Sequence, residues 1–172
     1  MVGAVAADAT GRDFATPRNG SLPDDAPVLE NVPDQVVLVT DAGEFTVTLL
    51  KENAPLTCRS FWHLAETGFY DGIYFHRVIP GFVAQAGCPE GNGYGGPGYT
   101  IPAENNTVSY RRGVVGMADS GMDTGGSQFF IVLDNQRRLD CRYTVFAAVN
   151  ETGGLDRIEV GTRILEIHRV NP

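Results

Sequence analysis

The 172-residue sequence has few cysteines and no apolar run long enough to cross a bilayer. Its three cysteines, Cys58, Cys88 and Cys141, lie in separate segments and form no C-x-x-C pair. Neither a disulfide framework nor a zinc site is therefore indicated, and we interpret them as three free thiols. Residues 1–10 lack the basic start and full apolar core of a signal peptide, although they could follow a cleavage site. Cytoplasmic and exported (periplasmic) locations both stay open.

Basic residues are also scarce relative to acidic ones. There are 13 Lys and Arg against 21 Asp and Glu, which gives a formal net charge of -8 at pH 7. Nucleic-acid backbones and anionic membrane surfaces repel a chain of this charge, so we expect neither as its main partner. The length and the hydrophobic content of 42% suit a single globular domain with a sizeable core.

Residues 1–34 differ from the rest of the chain in composition and in apolar patterning. They show almost no apolar periodicity, and four prolines interrupt them: Pro17, Pro23, Pro27 and Pro33. Such a composition predicts a linker or an extended arm on the surface of the domain. We therefore divide the chain into an N-terminal arm, residues 1–34, and a domain formed by residues 35–172.

Short strand-like runs dominate the remainder. VVLVT and EFTVTLL predict a hairpin, and six further runs follow: IYFHRVI, FVAQAG, GVVGMA, SQFFIVL, YTVFAAV and RILEIHRV. One helix is predicted after Asn53, which we expect to cap it, with Pro55 in the first turn and Gly68 at its end. Its apolar stripe is Cys58, Phe61, Trp62 and Ala65. A small second helix is expected around GGLDRI. The pattern favours a closed antiparallel barrel.

No motif carries the residues of a covalent or metal-dependent reaction. Residues 91–96 match G-x-G-x-x-G, but Pro97 and Gly98 follow, so no helix begins there as a dinucleotide site requires. Ser127 does not lie in a G-x-S-x-G elbow. The histidines lie in separate segments without ligand spacing: His63, His76 and His168. We therefore predict no nucleophile, no metal and no cofactor.

An arginine stands in the middle of the aromatic and β-branched run YFHRVIPGFVAQ, residues 74–85. A guanidinium stays protonated and is costly to remove from water. Arg77 therefore either reaches solvent, where a surface salt bridge is the simplest arrangement, or offers hydrogen bonds at an apolar hollow. Gln85 lies close by in sequence, and the aromatic pair Phe129-Phe130 follows later. These residues alone predict a binding groove.

Four segments resemble the cyclophilin family of peptidyl-prolyl cis/trans isomerases, in the family's order and approximate spacing. They are FYDGIYFHRVIPGF, GYGGPGYTIPAE, RRGVVGMADSGMDTGGSQFFI and LDCRYTVFAAV, and the resemblance covers residues 35–170. It implies a mainly β fold, namely a closed eight-stranded antiparallel β-barrel capped by two α-helices. A substrate groove is expected on the outer face of the barrel.

The same resemblance implies an isomerase that accelerates rotation about X–Pro bonds and assists protein folding without a cofactor. Expected partners are proline-containing peptides and unfolded or folding proteins, and the expected state is a monomer. Arg77 resembles the catalytic arginine. The floor of the proline pocket is expected from Phe82, Val83, Phe130 and Leu139. Contacts to the substrate backbone, or closure of the pocket, are expected from Gln85, Ala118, Asp119 and Tyr143.

Some positions depart from the family's usual pattern. Asp119 replaces a frequent asparagine, and Tyr143 stands where many members have histidine. Cys88 and Cys141 replace a common aspartate and a common glycine. Arg138 stands where members carry tryptophan or histidine, and a tryptophan there helps to hold cyclosporin, so we expect reduced cyclosporin affinity. The alternative hypothesis is a catalytically slow module of a larger protein that binds proline-containing segments.

Overall fold

Eight antiparallel strands form one curled sheet in the computed structural model, which describes residues 22–170. The strands are β1 Gln35–Thr40, β2 Gly43–Leu49, β3 Arg77–Ile79, β4 Val83–Ala86, β5 Val114–Met117, β6 Phe129–Val132, β7 Val145–Val149 and β8 Ile164–Arg169. Their order across the sheet is β3-β4-β6-β5-β7-β2-β1-β8. The predicted mainly β fold with eight antiparallel strands is therefore confirmed.

The sheet is open, so the prediction of a closed barrel was wrong. Strands β3 and β8 are its two ends. The gap between them is spanned by a single bridge, Tyr74 with Arg163, and by backbone bonds such as Gly72 N–H to the Ile164 carbonyl at 2.8 Å. Gly72 and Gly161 adopt φ values of +81° and +96° beside this bridge. Extended backbone does not have such φ values, so the strand ladder stops there.

The hairpin of β1 and β2 is confirmed, with pairing from Gln35 opposite Thr48 to Thr40 opposite Gly43. Its turn is held by one side chain. The Thr40 hydroxyl donates to the Gly43 carbonyl at 2.7 Å and accepts from the Ala42 N–H at 3.2 Å. The tight turn therefore leaves none of these polar groups without a partner.

The predicted helix is present as α1, Pro55–Glu66. All four residues of the apolar stripe are buried: Cys58, Phe61, Trp62 and Ala65. Gly68 follows with φ +69°, the left-handed geometry that ends many helices. The spacing of apolar residues therefore predicted the buried face of α1, and Gly68 predicted its end.

The cap of α1 was predicted wrongly. The N-cap residue is Ala54 rather than Asn53, and Ala54 has no side chain that can accept a hydrogen bond. The carboxylate of Glu104 accepts instead from the N–H groups of Leu56 and Thr57 at 2.9 and 2.8 Å. A negative charge also suits the positive end of the helix dipole, so a residue distant in sequence fills the capping role.

The small helix predicted around GGLDRI is present as a 3₁₀-helix, Thr152–Arg157. Its two glycines, Gly153 and Gly154, disfavour an α-helix, and six residues are too few to recover the cost of nucleation. Two shorter 3₁₀-helices are Leu29–Asn31 and Arg137–Leu139. Within residues 22–170, α1 is the only α-helix, and no helix there is long and apolar enough to cross a membrane.

Residues 22–34, the described part of the predicted arm, pack against the domain. Val32 is buried, and its carbonyl accepts from the Lys51 ammonium at 3.0 Å. The Pro27 carbonyl accepts from Arg59 Nε at 2.8 Å. The boundary at residue 34 stays a prediction, and residues 1–21 lie outside the described part of the chain.

Two apolar clusters lie on the two faces of the sheet. Because side chains alternate along a strand, Phe129 joins the large inner cluster with α1, while Phe130 joins a smaller outer one. The buried members of the outer cluster are Val83, Tyr110, Phe130, Val132, Leu139 and Val145. This outer cluster is the base on which the candidate site is built.

Candidate active site

One row of paired residues crosses four strands on the outer face. Arg77 of β3 lies opposite Gln85 of β4, Gln85 lies opposite Phe130 of β6, and Phe130 lies opposite Gly116 of β5. Directly paired residues point to the same side of a sheet. The sheet therefore places a guanidinium, an amide and a phenyl ring side by side, although they come from distant parts of the sequence.

A cavity of about 190 Å³ opens beside this row. Its lining consists of all nine residues that the sequence singled out: Arg77, Phe82, Val83, Gln85, Ala118, Asp119, Phe130, Leu139 and Tyr143. The structure thus brings the nine predicted site residues together in one place. The role of each residue in binding or catalysis stays a prediction.

The floor of the cavity is an aromatic stack. The Phe130 ring is 6% exposed and meets Tyr143 edge-on, with centroids 5.6 Å apart and planes at 83°. On another side it stacks on Tyr110, also at 5.6 Å, with planes at 26°. These contacts hold the ring in one orientation at the cavity.

Sequence reasoning missed Tyr110 and Gly116, which support this floor. A Cβ atom at Gly116 would lie 2.5 Å from Phe130 Cζ and 2.4 Å from the Tyr110 hydroxyl. Only glycine therefore leaves room for both rings. The signal available in the sequence was a glycine inside the strand-like run GVVGMA, which indicates a close approach by another group. Nothing in the sequence marked Tyr110.

Arg77 is exposed, and its guanidinium has one hydrogen-bond partner in the described chain, Gln85 Oε1 at 3.4 Å. Gln85 Nε2 in turn donates to Gln128 Oε1 at 3.1 Å, and Gln128 Nε2 donates to the carbonyls of Gly93 and Gly95, both at 2.9 Å. This chain of amides orients Gln85, and most Arg77 donors have no partner among the described residues. No carboxylate within residues 22–170 pairs with Arg77, so a surface salt bridge does not explain it.

A second guanidinium lies against the cavity wall. Arg138 Cζ is 4.4 Å from the centroid of the Phe82 ring, and Arg77 Cζ is 5.8 Å from the same centroid. At these distances both cations interact favourably with the ring. Phe82 therefore lies between the apolar floor of the cavity and a positively charged rim formed by Arg77 and Arg138.

Burial shifts the pKa of three titratable groups around the site. It raises the pKa of Asp119, while a hydrogen bond from the Gly121 N–H at 3.1 Å acts in the opposite direction. It also raises the pKa of the Tyr110 hydroxyl, which has no hydrogen-bond partner among the described residues. Burial, and then the charge of Arg77, lower the pKa of His76. Neutral His76 and neutral Tyr110 are therefore the expected forms near neutral pH.

Other polar residues of interest have structural partners. The buried Ser127 hydroxyl donates to the Gly87 carbonyl at 2.6 Å, which makes it a structural group. Cys88 is buried, and its Sγ accepts from the Gly93 N–H at 3.3 Å, whereas Cys141 is exposed with φ +59°. Across residues 22–170, no three His, Cys, Asp or Glu side chains are close enough together to hold a metal ion.

The fold and the cavity define a β-sheet protein with an apolar pocket beside a row of hydrogen-bonding groups. The family described as cyclophilin type peptidyl-prolyl cis-trans isomerase/CLD matches residues 35–164. Peptidyl-prolyl cis-trans isomerase B of Bacillus subtilis (strain 168) is 51% identical over 121 residues, covering 69% of this chain and 83% of that protein. A peptidyl-prolyl cis-trans isomerase of Synechococcus elongatus is 43% identical over 136 residues, covering 77% and 94%.

Solved structures agree with the sequence comparison. A crystal structure of a Cryptosporidium parvum cyclophilin type peptidyl-prolyl cis-trans isomerase has a TM-score of 0.76 at 28% identity, covering 81% of this chain and 99% of that one. The same protein was also solved in the presence of the dipeptide Ala-Pro, with a TM-score of 0.75. The chain belongs to the cyclophilin-type peptidyl-prolyl cis-trans isomerase family. It is an enzyme, and its activity is cis/trans isomerisation of X–Pro peptide bonds.

Proposed function

We propose that the cavity binds the ring of a substrate proline and that Arg77 stabilises the twisted X–Pro bond as it rotates. The observation that carries this proposal is the position of the Arg77 guanidinium, which lines the cavity on the same row as Phe130 and has only an amide oxygen as hydrogen-bond partner among the described residues. A donor with free N–H groups beside an apolar pocket suits a substrate whose reacting atom is the nitrogen of an apolar ring.

The reaction itself requires no nucleophile. Amide resonance opposes rotation about the X–Pro bond with a barrier of about 18–20 kcal/mol, and no covalent bond is broken midway. At the twisted geometry the proline nitrogen becomes pyramidal and carries a lone pair. A donor placed near that nitrogen therefore forms a hydrogen bond that the planar ground state does not offer.

Arg77 supplies such a donor. Its bond to the nitrogen is stronger in the transition state than in the ground state, which is the condition for acceleration. The contact with Gln85 and the Gln85–Gln128 bond limit the movement of this part of the site. The apolar surroundings strengthen the electrostatic interaction relative to bulk water.

The remaining lining residues bind and orient the peptide. Phe82, Val83, Phe130 and Leu139 offer apolar surface to the proline ring, and Phe130 is held by its two aromatic neighbours. Gln85, Ala118, Asp119 and Tyr143 contact the peptide backbone or close the pocket. One relative was solved in the presence of Ala-Pro, which supports a single X–Pro unit as the smallest ligand of this cavity as well.

The proposed partners are proline-containing peptides and unfolded or folding proteins, which the enzyme acts on as a monomer without a cofactor. We assign the site to residues 35–172, because no lining residue of the cavity lies in residues 22–34, the described part of the arm. Cyclosporin is expected to bind with reduced affinity because Arg138 replaces an indole.

The direct test is exchange spectroscopy on a blocked Ala-Pro peptide. Adding the protein at a small fraction of the peptide concentration should accelerate cis/trans exchange without changing the cis/trans ratio. The Arg77→Ala variant should bind the peptide but accelerate exchange far less. If the protein binds the peptide and exchange stays at its spontaneous rate, the chain is a binding module instead.

A further inference from the structure

Arg138 lies at the cavity without forming part of its lining. It belongs to the 3₁₀-helix Arg137–Leu139, immediately before the floor residue Leu139, and its side chain is exposed. Its guanidinium carbon is 4.4 Å from the Phe82 centroid, so the planar group lies over a ring that lines the cavity. A peptide whose proline enters the cavity must therefore pass close to this guanidinium.

Neither guanidinium at the Phe82 ring has a carboxylate partner. Within residues 22–170, the four ion pairs involve other residues, and Arg138 forms no hydrogen bond there. Arg77 lies over the same ring at 5.8 Å, and in the described part of the chain its guanidinium has only the long bond to Gln85. A guanidinium presents a planar set of donors that matches a carboxylate in a bidentate arrangement. This rim is therefore suited to an anion that the described chain does not supply.

Two acidic residues close to the cavity in sequence or in its lining accept backbone hydrogen bonds. Asp119 lines the cavity but accepts from the Gly121 N–H, and Asp140 accepts from the Tyr110 N–H at 2.8 Å. The whole chain carries a net charge of -8, so its long-range field repels acidic peptides. Any preference for an acidic peptide must therefore arise locally, from the guanidinium groups at the cavity.

We propose that Arg138 is a specificity residue that favours substrates with an aspartate or glutamate within two residues of the proline. The inference rests on the proposed function, since it assumes that the proline occupies the cavity. Successive Cα atoms are 3.8 Å apart, so the side chains next to a bound proline can reach the guanidinium over Phe82. The carboxylate would pair with Arg138 while Arg77 remains directed at the proline nitrogen.

The test compares blocked peptides that differ only in a glutamate or glutamine at each position within two residues of the proline. For at least one position, kcat/KM of the parent enzyme should be roughly two- to fivefold higher with glutamate, as expected for an exposed ion pair. Arg138→Gln should bring this ratio close to one. Arg137→Gln is the matched control, because it removes the same charge from the same 3₁₀-helix without a contact to Phe82 and should keep the ratio.

Three outcomes would contradict the proposal. Equal kcat/KM for glutamate and glutamine peptides in the parent would overturn it, and so would a preference that Arg138→Gln retains. A ratio lost equally in both arginine variants would assign the effect to the general field and also overturn it. High salt should reduce the parent's ratio through screening.

Failure of the proposed function would look different. In that case Arg77→Ala would isomerise the peptides as fast as the parent, and titration of the same peptides would replace turnover as the measurement. Tighter binding of the glutamate peptide, lost in Arg138→Gln and kept in Arg137→Gln, would then support Arg138 as a specificity residue even though the proposed role of Arg77 had failed. Equal binding of both peptides would overturn it.

Discussion

Gly116 and Phe130 are paired directly across β5 and β6, and the Phe130 ring fills the space that a side chain at 116 would need. The ring is also part of the cavity floor. A residue that touches no substrate in our proposal therefore determines where a substrate-contacting ring can lie.

Gly116→Ala should displace Phe130 and lower kcat/KM by roughly tenfold or more, because small misplacements of a binding group are costly. It should also destabilise the fold by about 1–3 kcal/mol through overpacking. Peptide turnover and urea denaturation measure the two effects separately. The new Cβ would meet both the Tyr110 hydroxyl and the Phe130 ring.

The control is the double variant Gly116→Ala with Tyr110→Phe. The second change removes the contact with the Tyr110 hydroxyl and leaves the contact with the Phe130 ring. Full recovery of turnover in the double variant would contradict our account, because the Phe130 contact would then be harmless. Tyr110→Phe alone should not destabilise the protein, since the hydroxyl is buried without a partner among the described residues.

Arg77→Ala should lower kcat/KM by roughly 10²–10³-fold, since one transition-state donor is typically worth about 3–4 kcal/mol. Folding should be unaffected, because the side chain is exposed. The measurement is isomerisation of a short X–Pro peptide. Arg111→Ala serves as the control, because Arg111 is exposed and lies outside the cavity lining. Turnover near that of the parent in a folded Arg77→Ala protein would disprove the role of Arg77.

Phe130→Ala should weaken peptide binding and destabilise the fold, each by about 3 kcal/mol, because the ring is 6% exposed and packs on two tyrosines. Titration with a proline peptide and thermal unfolding check the two effects. Compared with Phe130→Ala, Phe130→Leu retains most of the apolar volume and should therefore regain much of the stability. It should regain less of the peptide affinity, because the flat ring is lost. Unchanged peptide binding in Phe130→Ala would place the proline pocket elsewhere.

Much of the candidate site was predictable because its residues stand in contiguous runs. Arg77, Phe82 and Gln85 come from one twelve-residue segment, and the hairpin that this segment forms follows from its turn at Pro80 and Gly81. The alternation of side chains in β6 then separates Phe129 from Phe130. The local sequence therefore already contains the information that positions these groups.

The errors arose where contacts link distant parts of the chain. Glu104 caps α1 across 48 residues, and no local pattern indicates that it replaces Asn53. The open sheet depends on backbone conformations at Gly72 and Gly161, which glycine permits but does not require. Tyr110 lies under the site because of tertiary packing alone. Spacing and composition carry no signal for such contacts.

Deleting residues 1–34 should destabilise the protein by about 2–4 kcal/mol while leaving kcat/KM unchanged. The loss includes the burial of Val32 and the bonds that the carbonyls of Pro27 and Val32 accept. Urea denaturation and turnover at a temperature well below unfolding give the two quantities. In the full chain, Val32→Ala should reproduce roughly 1–2 kcal/mol of the effect. A folded deletion variant without activity would show that the arm shapes the groove.

The enzyme should remain active in the presence of cyclosporin concentrations that inhibit relatives with a tryptophan at the position of Arg138. Arginine offers donors but less rigid apolar area than an indole, and its long side chain loses more rotamer freedom on binding. Loss of several tens of Å² of contact costs roughly 1–2 kcal/mol, or about five- to thirtyfold in affinity. The existing contact of Arg138 with Phe82 must also rearrange when a ligand covers the ring. Arg138→Trp should restore sensitivity, and inhibition titrations of both proteins measure it. Equal inhibition of parent and variant would show that residue 138 does not determine cyclosporin affinity.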